Sequence, residues 1–407
     1  MRFIDLFAGA GGFAEGFKRA GFEPVAHVEI DPAACFTLKT RLSYYYLKEN
    51  NKLDIYIKYL KGEISREQLY SILPPCILES VINLSISDNN NSRIFRIIEQ
   101  LNSRKDIDII VGGPPCQAYS VAGRSADKDR KRYDNRNYLY KQYARFLSKF
   151  RPKLFVFENV PGLYNASDGT YYRNLKKYFK RIGYQVEDKI LDAADFGVLQ
   201  KRKRVIIIGW RKDVIFSYPD FEKLDKQWTV NSLLLDLPFL RNGDVLNRAK
   251  YRSGTNDYLE KFQIRNGIDV VTQNITRPHN KKDLEIYKMA IMLLDKENKR
   301  LKNSEIPEHI RTQSNVTSFL DRFKVVASDD LSHTLIAHIA KDGHYYIHPD
   351  KDQLRSISVR EAARIQSFPD DYFFEGSRTS VFKQIGNAVP PLMAESIAKK
   401  IMEIIHE

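Results

Sequence analysis

Short apolar segments alternate with helical patterns through the first half of the chain, and this alternation constrains the fold more than any other feature. The apolar segments 3–7 and 24–28 flank a stretch in which Phe13, Phe17 and Ala20 recur at helical spacing. Strand–helix–strand units of this kind form a parallel sheet that binds ligands at the carboxyl ends of its strands. Three further apolar segments predict strands at residues 107–111, 153–157 and 205–208.

The alternation weakens in two regions. Residues 42–101 fit it poorly, which predicts an insertion or an extended helical region. After Trp210 it is lost, and a stretch rich in Lys, Arg, Asn and Tyr predicts a second, smaller domain. Within that stretch, apolar residues at helical spacing predict a core-facing helix over residues 281–302, and a similar pattern predicts a helix over residues 391–406.

Composition restricts the class of protein. The chain has 407 residues, of which 43% are hydrophobic and 29% charged, as expected for one large or two medium globular domains. It shows neither a long apolar run nor a basic leader, so we expect a soluble cytoplasmic protein. The formal net charge of +14 favours nucleic acid as the partner, because a protein that neutralises phosphates releases counterions; a merely basic surface is the alternative.

One of the three cysteines stands in an unusual setting. The predicted strand at residues 107–111 leads into Gly112-Gly113-Pro114-Pro115-Cys116, where two prolines with fixed φ stiffen the loop. The thiol of Cys116 is therefore a candidate nucleophile. Cys35 and Cys76 are expected to be buried and inert, and the absence of a CxxC spacing argues against a disulfide framework or a zinc site.

A glycine-rich turn follows the first strand. Gly9, Gly11 and Gly12 permit a tight turn and a close approach of a ligand to the backbone at a helix amino terminus. Glu29, twenty residues after Gly9, ends the next predicted strand, where a carboxylate accepts hydrogen bonds from ribose hydroxyls. The pattern predicts a ribose-containing cofactor, but a glycine turn occurs in many α/β proteins and a nicotinamide cofactor fits Glu29 equally well.

Two other polar groups adjoin predicted strands. Glu158 follows the apolar run 154–157, a position that suits hydrogen bonding or proton donation to a base. Arg202 and Arg204 precede the strand at 205–208, and alternate residues of an extended segment point to one face, so the two guanidinium groups are expected to converge on a phosphate or a base edge. The alternative is a solvated basic edge.

Taken together, six blocks resemble the ordered motifs of the C5-cytosine DNA methyltransferase family, over nearly the whole chain. They are residues 5–12, 113–117, 158–160, 200–204, 360–369 and 386–391. The Pro-Cys block and the Gln-x-Arg-x-Arg block are highly specific to that family.

The resemblance implies an α/β fold: a Rossmann-like S-adenosylmethionine-dependent methyltransferase domain with a smaller inserted target-recognition domain. The expected bounds are 1–212 with 380–407 for the catalytic domain and 213–379 for the recognition domain. By the same resemblance, Cys116 adds to C6 of a flipped cytosine and Glu158 supports N3. Arg202 and Arg204 steady the base and the carboxylate.

The resemblance also implies the cofactor and the partners. S-adenosyl-L-methionine is expected against the residues Phe7, Gly9, Gly11, Glu29, Pro114, Asn387 and Val389. Thr334 and Leu335 look like a short Thr-Leu element that binds DNA, although a plain hydrophobic strand at residues 335–339 fits equally well. Double-stranded DNA is the expected substrate of a monomeric enzyme, paired in function with a restriction endonuclease. Asp88 is the candidate for the acidic residue that contacts adenine.

Three other classes of protein are alternatives to a DNA methyltransferase. An RNA cytosine methyltransferase usually carries a second cysteine in the block at 158–160, and none occurs here. An inactive methyltransferase-like binding protein is expected to lose Cys116 or Glu158, and both are present. A nicotinamide dehydrogenase shares the glycine turn but gives no reason for Pro114-Pro115-Cys116.

Overall fold

A seven-stranded sheet forms the centre of the fold. The computed structural model describes residues 1–103, 105–115, 139–166, 168–225, 227–313 and 320–406. The strands of the sheet are β1 (Arg2–Leu6), β2 (Glu23–Glu29), β3 (Val81–Asn83), β4 (Ile109–Gly112), β5 (Leu154–Asn159), β6 (Tyr184–Asp192) and β7 (Lys203–Arg211). Their spatial order is β3-β2-β1-β4-β5-β7-β6.

The direction of the strands decides which chain ends meet at one edge. The strands from β1 to β5 run parallel to their neighbours, whereas β7 pairs antiparallel with both β5 and β6. The carboxyl ends of β1, β2, β4 and β5 therefore share an edge with the amino end of β7. Four sequence blocks that lie far apart along the chain meet at this edge.

The strands β1, β2, β4, β5 and β7 are mostly buried on both faces, as expected for a sheet covered by helices, whereas the edge strand β6 is partly exposed. Phe3, Ile109 and Val156 belong to the hydrophobic cluster on one face, and their neighbours Ile4 and Ile110 belong to the cluster on the other. The predicted strands and the α/β class are confirmed.

Helices cover both faces of the sheet and are the main elements in the rest of the described chain. They are α1 (Gly12–Arg19), α2 (Pro32–Glu49), α3 (Leu53–Lys61), α4 (Arg66–Ser71), α5 (Pro75–Glu79), α6 (Asp88–Leu101), α7 (Leu139–Phe150), α8 (Thr170–Arg181), α9 (Asn231–Leu234), α10 (Asp257–Lys261), α11 (Lys281–Glu297), α12 (Val359–Ile365), α13 (Arg378–Asn387) and α14 (Pro391–His406). The region 42–101 is thus mostly helical, as predicted. None of the helices in the described ranges is long and apolar enough to cross a membrane.

The last helix packs against the first. The Cα of Gly16 on α1 lies so close to α14 that an added Cβ would be 2.5 Å from the Cβ of Ala394 and 2.6 Å from the carbonyl oxygen of Pro391. The carboxyl-terminal helix therefore lies against the helix that follows β1.

The region after β7 adds a two-stranded sheet of β8 (Val245–Ala249) and β9 (Val271–Ile275). Helix α11 ends at Glu297, five residues before the predicted end, and Tyr287 and Ile291 bury its apolar face against Phe323 and Ile347. A larger cluster joins this region to the seven-stranded sheet, since residues 357–374 contribute to the same buried core as β1.

Candidate functional site

The glycine turn and Glu29 meet at the carboxyl edge of β1 and β2. The backbone N–H of Gly9 donates to Glu29 Oε2 at 2.7 Å, and the N–H groups of Ile30 and Asp31 both donate to Oε1 at 2.8 Å. Burial raises the pKa of Glu29, and these backbone donors oppose the shift. The carboxylate is thus fixed in orientation at the mouth of the turn.

The turn has one open side and one packed side. Phe7, Gly9 and Gly11 have positive φ angles of 55°, 53° and 77°, and Gly11 caps α1. A Cβ at Gly9 would meet nothing within 4 Å, whereas one at Gly12 would lie 2.0 Å from the carbonyl oxygen of Val389. The side at Gly9 has room for a ligand, and the side at Gly12 is closed by the carboxyl-terminal segment.

Two residues beside Glu29 add to this edge and were not among the sequence candidates. Ile30 is 65% exposed, which is unusual for a large apolar side chain, and Asn83 ends β3 in register with Glu29. The amide nitrogen of Asn83 donates to the carbonyl oxygens of Glu29 and Ile30. An apolar face next to fixed polar groups suits a heteroaromatic ring with ribose attached.

Asp88 lies beyond the end of β3, on the helix that follows it. Asp88 begins α6, five residues beyond the end of β3, where it pairs with Arg145 and accepts a hydrogen bond from Gln142. Its expected contact with adenine stays a prediction. Asn83 occupies the strand end, which the short and weakly apolar β3 concealed in the sequence.

Glu158 lies at the end of β5 and forms an ion pair. Arg204, near the amino end of β7, places Nε 2.7 Å from Glu158 Oε1, and the two side chains are only 10% and 14% exposed. A Cβ at Gly113 would be 2.6 Å from Glu158 Oε2, so the carboxylate lies directly against the loop after β4. This contact explains why glycine is required at position 113.

The loop after β4 is held from β5 as well. Asn159, which is 2% exposed, donates from Nδ2 to the carbonyl oxygen of Pro114 at 3.4 Å, and its Oδ1 accepts from the N–H of Val160. Pro114 is buried and Pro115 exposed. Cys116 lies outside the described residues.

Arg202 and Arg204 do not converge. Arg202 is 1% exposed and donates to the carbonyl oxygens of Leu335, Gly386 and Ala388. The expectation that it steadies the base together with Arg204 is wrong, because β7 begins only at Lys203 and the Arg202 side chain enters the protein interior instead. Its guanidinium joins two distant segments to the residues before β7.

The Thr-Leu element, Thr334 and Leu335, packs on the residues just before β7. Thr334 Oγ1 donates to the carbonyl oxygen of Lys201 at 2.6 Å, and the N–H of Leu335 donates to Gln200 Oε1 at 2.8 Å. The alternative strand at 335–339 is wrong, since Ala337–Ala340 forms a 3-10 helix. The Leu335 side chain is fully buried and faces the core, not DNA, whereas Thr334 is partly exposed.

The remaining sequence candidates are partly exposed and partly buried. Asn387 ends α13 with an exposed side chain, and Val389 is 7% exposed against Gly12. Cys35 is buried, and burial raises the pKa of its thiol to about 12, which makes it inert. Cys76 is exposed, contrary to expectation.

Comparison with known proteins agrees with this geometry. The family described as C-5 cytosine-specific DNA methylase matches residues 1–77 and 80–403. The type II methyltransferase M.Bpa9945I of Bacillus paralicheniformis is 42% identical over 100% of this chain and 99% of its own length. The type II methyltransferase M1.HphI of Haemophilus parahaemolyticus is 31% identical over 99% of this chain and 87% of its own.

Solved structures share the fold. A protein from E. coli, described as a candidate DNA modification methyltransferase encoded within a prophage, superposes with a TM-score of 0.68 at 24% identity and 100% coverage of both chains. The Entamoeba histolytica methyltransferase EhMeth gives 0.53 at 16% identity, covering 100% of this chain and 97% of its own. The chain therefore belongs to the C-5 cytosine-specific DNA methylase family.

Proposed function

We propose that the protein transfers a methyl group from S-adenosyl-L-methionine to carbon 5 of a cytosine within a specific duplex DNA sequence, as the modification enzyme of a restriction–modification system. The observation that carries this proposal is the meeting of Glu158, Arg204 and the Gly113–Pro115 loop at one sheet edge. The family membership and the names of the relatives agree with it.

Residues at the glycine turn fit the methyl donor. The open side of Gly9, the fixed carboxylate of Glu29 and the exposed Ile30 would hold a nucleoside, and Phe7, Gly11, Pro114, Asn387 and Val389 would complete the pocket. When bound, S-adenosylmethionine supplies an electrophilic methyl group. The chain's own residues must make the cytosine ring nucleophilic enough to accept it.

Cys116 and Glu158 would share that task. The Cys116 thiolate forms a bond to C6, and the electron pair of the C5–C6 double bond becomes available at C5. Glu158 donates a proton or a hydrogen bond to N3, which neutralises the charge that the addition creates. After C5 is methylated, loss of the C5 proton and elimination of the thiolate restore the ring.

Arg204 would orient Glu158 without touching the base. Its single Nε contact fixes one carboxylate oxygen and leaves Oε2 facing the loop that precedes Cys116. Arg202 would have a structural role, since its hydrogen bonds hold the segments of Leu335 and Ala388 together. The target cytosine must leave the stack, because its reacting atoms are inaccessible in a duplex.

We also propose two lobes, a target-recognition part and a catalytic part. The expected recognition part is 213–379, but residues 357–374 share the buried core of β1, so we assign them to the catalytic lobe. Thr334 stays a candidate DNA contact. A partner endonuclease and a monomeric state are further parts of the proposal.

A mechanism-based trap tests the chemistry directly. DNA that contains 5-fluorocytosine at the target site blocks loss of the C5 substituent, so a covalent adduct at Cys116 should accumulate when S-adenosylmethionine is present. Bisulfite sequencing of DNA from cells that express the chain identifies that site first. A methylated genome with no adduct at Cys116, confirmed by peptide mapping, would refute the proposed nucleophile.

A further inference from the structure

The rear side of the glycine turn rests on a tyrosine from the far part of the chain. The hydroxyl of Tyr372 donates to the carbonyl oxygen of Ala10. A Cβ added to Gly11 would lie 2.9 Å from that hydroxyl and 2.7 Å from Leu38 Cδ2. Tyr372 and Leu38 therefore close the turn on the side opposite the open face at Gly9.

The tyrosine is itself held in place. It is 1% exposed, and its ring packs against Phe368 and Phe374 at centroid distances of 4.7 and 5.1 Å. Burial raises the pKa of its hydroxyl, so Tyr372 stays protonated and donates over the physiological range.

A buried ion network fixes the same segment to α1. Arg41 on α2 donates to both carboxylate oxygens of Glu15, at 2.7 and 2.6 Å, and to Asp371 Oδ1 at 2.9 Å. Its guanidinium carbon lies 4.9 Å from the centre of the Tyr372 ring. Because Glu15 lies in the first turn of α1, one cation connects the helix that follows the glycine turn with the segment that supports the turn.

Space lies directly beside this support. A cavity of about 340 Å³ is lined by Gly11, Glu15, Arg41 and Tyr372, among others. This space beside the turn gives its backbone room to shift when the hydrogen bond from Tyr372 is lost, although Leu38 still packs behind Gly11. Phe7 has a φ of 55°, which is unfavourable for a residue with a side chain, so such a shift would relieve backbone strain.

We propose that Tyr372 and Arg41 are positioning residues for the methyl donor, which hold the glycine turn in its binding shape without touching the donor. The proposal rests on the proposed function, in which the front of this turn binds S-adenosylmethionine. It assigns a part of the donor site to two residues that lie behind it, one on α2 and one in the segment between α12 and α13.

The Tyr372→Phe variant tests the hydroxyl alone, because the ring and its packing are kept. Loss of one hydrogen bond predicts that the Kd for S-adenosylmethionine, measured by calorimetry on the free protein, rises about three- to tenfold. The KM for S-adenosylmethionine should rise with it, while kcat at saturating donor and the Kd for DNA stay near their original values. Amide hydrogen exchange at residues 9–12 should become faster.

Tyr258→Phe is the matched control. Tyr258 is also fully buried, and its hydroxyl donates to the carbonyl oxygen of Gly197 at 2.9 Å, away from the turn. It should lower the melting temperature by a similar amount and leave donor affinity unchanged. Arg41→Lys, which keeps a charge between the carboxylates but cannot reach both, should weaken donor binding as Tyr372→Phe does.

The outcomes distinguish failure of the positioning role from failure of the proposed function. Unchanged donor affinity and unchanged exchange at residues 9–12 in Tyr372→Phe would overturn the positioning role. An equal loss of affinity in Tyr258→Phe would overturn it too, since the effect would then follow stability alone. Failure of the original protein to bind S-adenosylmethionine would instead refute the proposed function, and the exchange measurement would still decide whether Tyr372 holds the turn.

Discussion

Arg204 Nε lies 2.7 Å from Glu158 Oε1, and this contact joins strands that run in opposite directions. Glu158 is at the carboxyl end of β5, whereas Arg204 is near the amino end of β7. The antiparallel pairing brings both side chains to the edge where the loop after β4 begins.

Replacing Glu158 by Gln should slow methyl transfer far more than it weakens donor binding. An amide keeps the shape and one hydrogen bond but cannot deliver a proton to N3, and general acid catalysis contributes roughly 10²- to 10⁴-fold. Single-turnover rates with labelled S-adenosylmethionine measure the loss. Glu187→Gln, on the edge strand β6, serves as the control. An unchanged single-turnover rate in Glu158→Gln would contradict the assignment.

The two arginines should respond differently to replacement by Lys. Arg204→Lys exchanges a directed guanidinium contact for a point charge, so the rate at saturating substrates should fall about ten- to a hundredfold with little change in melting temperature. Arg202→Lys leaves buried carbonyl oxygens without donors and should cost about 1–3 kcal/mol of unfolding free energy. Denaturant unfolding and initial rates, measured on both variants, distinguish the two effects. Equal rate losses at equal stability would argue that both arginines act on the base.

Gly12→Ala should disturb the junction between the two ends of the sequence. The added methyl group would lie 2.0 Å from the carbonyl oxygen of Val389, which is backbone and must move. Overpacking of this kind costs typically about 1–3 kcal/mol. Thermal unfolding and donor affinity should both decline. Gly254→Ala, which meets nothing within 4 Å, should change neither.

Stability should fall with pH below about 6.5 because of buried neutral histidines. Burial lowers the pKa of His279 and His333 to about 3 and that of His348 to about 4, from an ordinary value of 6.5. The unfolded chain takes up protons below pH 6.5 that the folded state does not bind. Their stabilising contribution is therefore complete above pH 6.5 and is lost as the pH falls toward 4 and 3.

The loss should reach about 1–2 kcal/mol for each histidine at pH 5. Melting temperatures between pH 7.5 and 5 measure it. The effect of Glu361, whose pKa falls to about 2 beside Arg355, begins only below its ordinary value of 4.5 and so lies outside this window. A flat profile from pH 7.5 to 5 would show that these histidines titrate in the folded protein.

The sequence predicted those features that depend on local pattern. The strands around the glycine turn, Glu29 and Glu158 follow from apolar runs that end in polar residues, and Gly9 and Glu29 do meet as their spacing suggests. The carbonyl oxygens that accept from Arg202 come from distant segments, and β7 begins only at Lys203, so the divergence of Arg202 from Arg204 was not predictable from local pattern. Tyr372 carries no signal for its contact with Ala10, 362 residues away, because only the tertiary fold brings them together.

The packing of Val389 on Gly12 has a consequence for biosynthesis. The ribosome makes the turn at Gly12 first and reaches Val389, which closes it, only after residues 13–388. A nascent or prematurely terminated polypeptide would carry the loop of Cys116 and yet lack the wall at Gly12. Methylation is therefore expected to begin only when translation has passed α14, and truncated products should not compete with the finished enzyme for its donor.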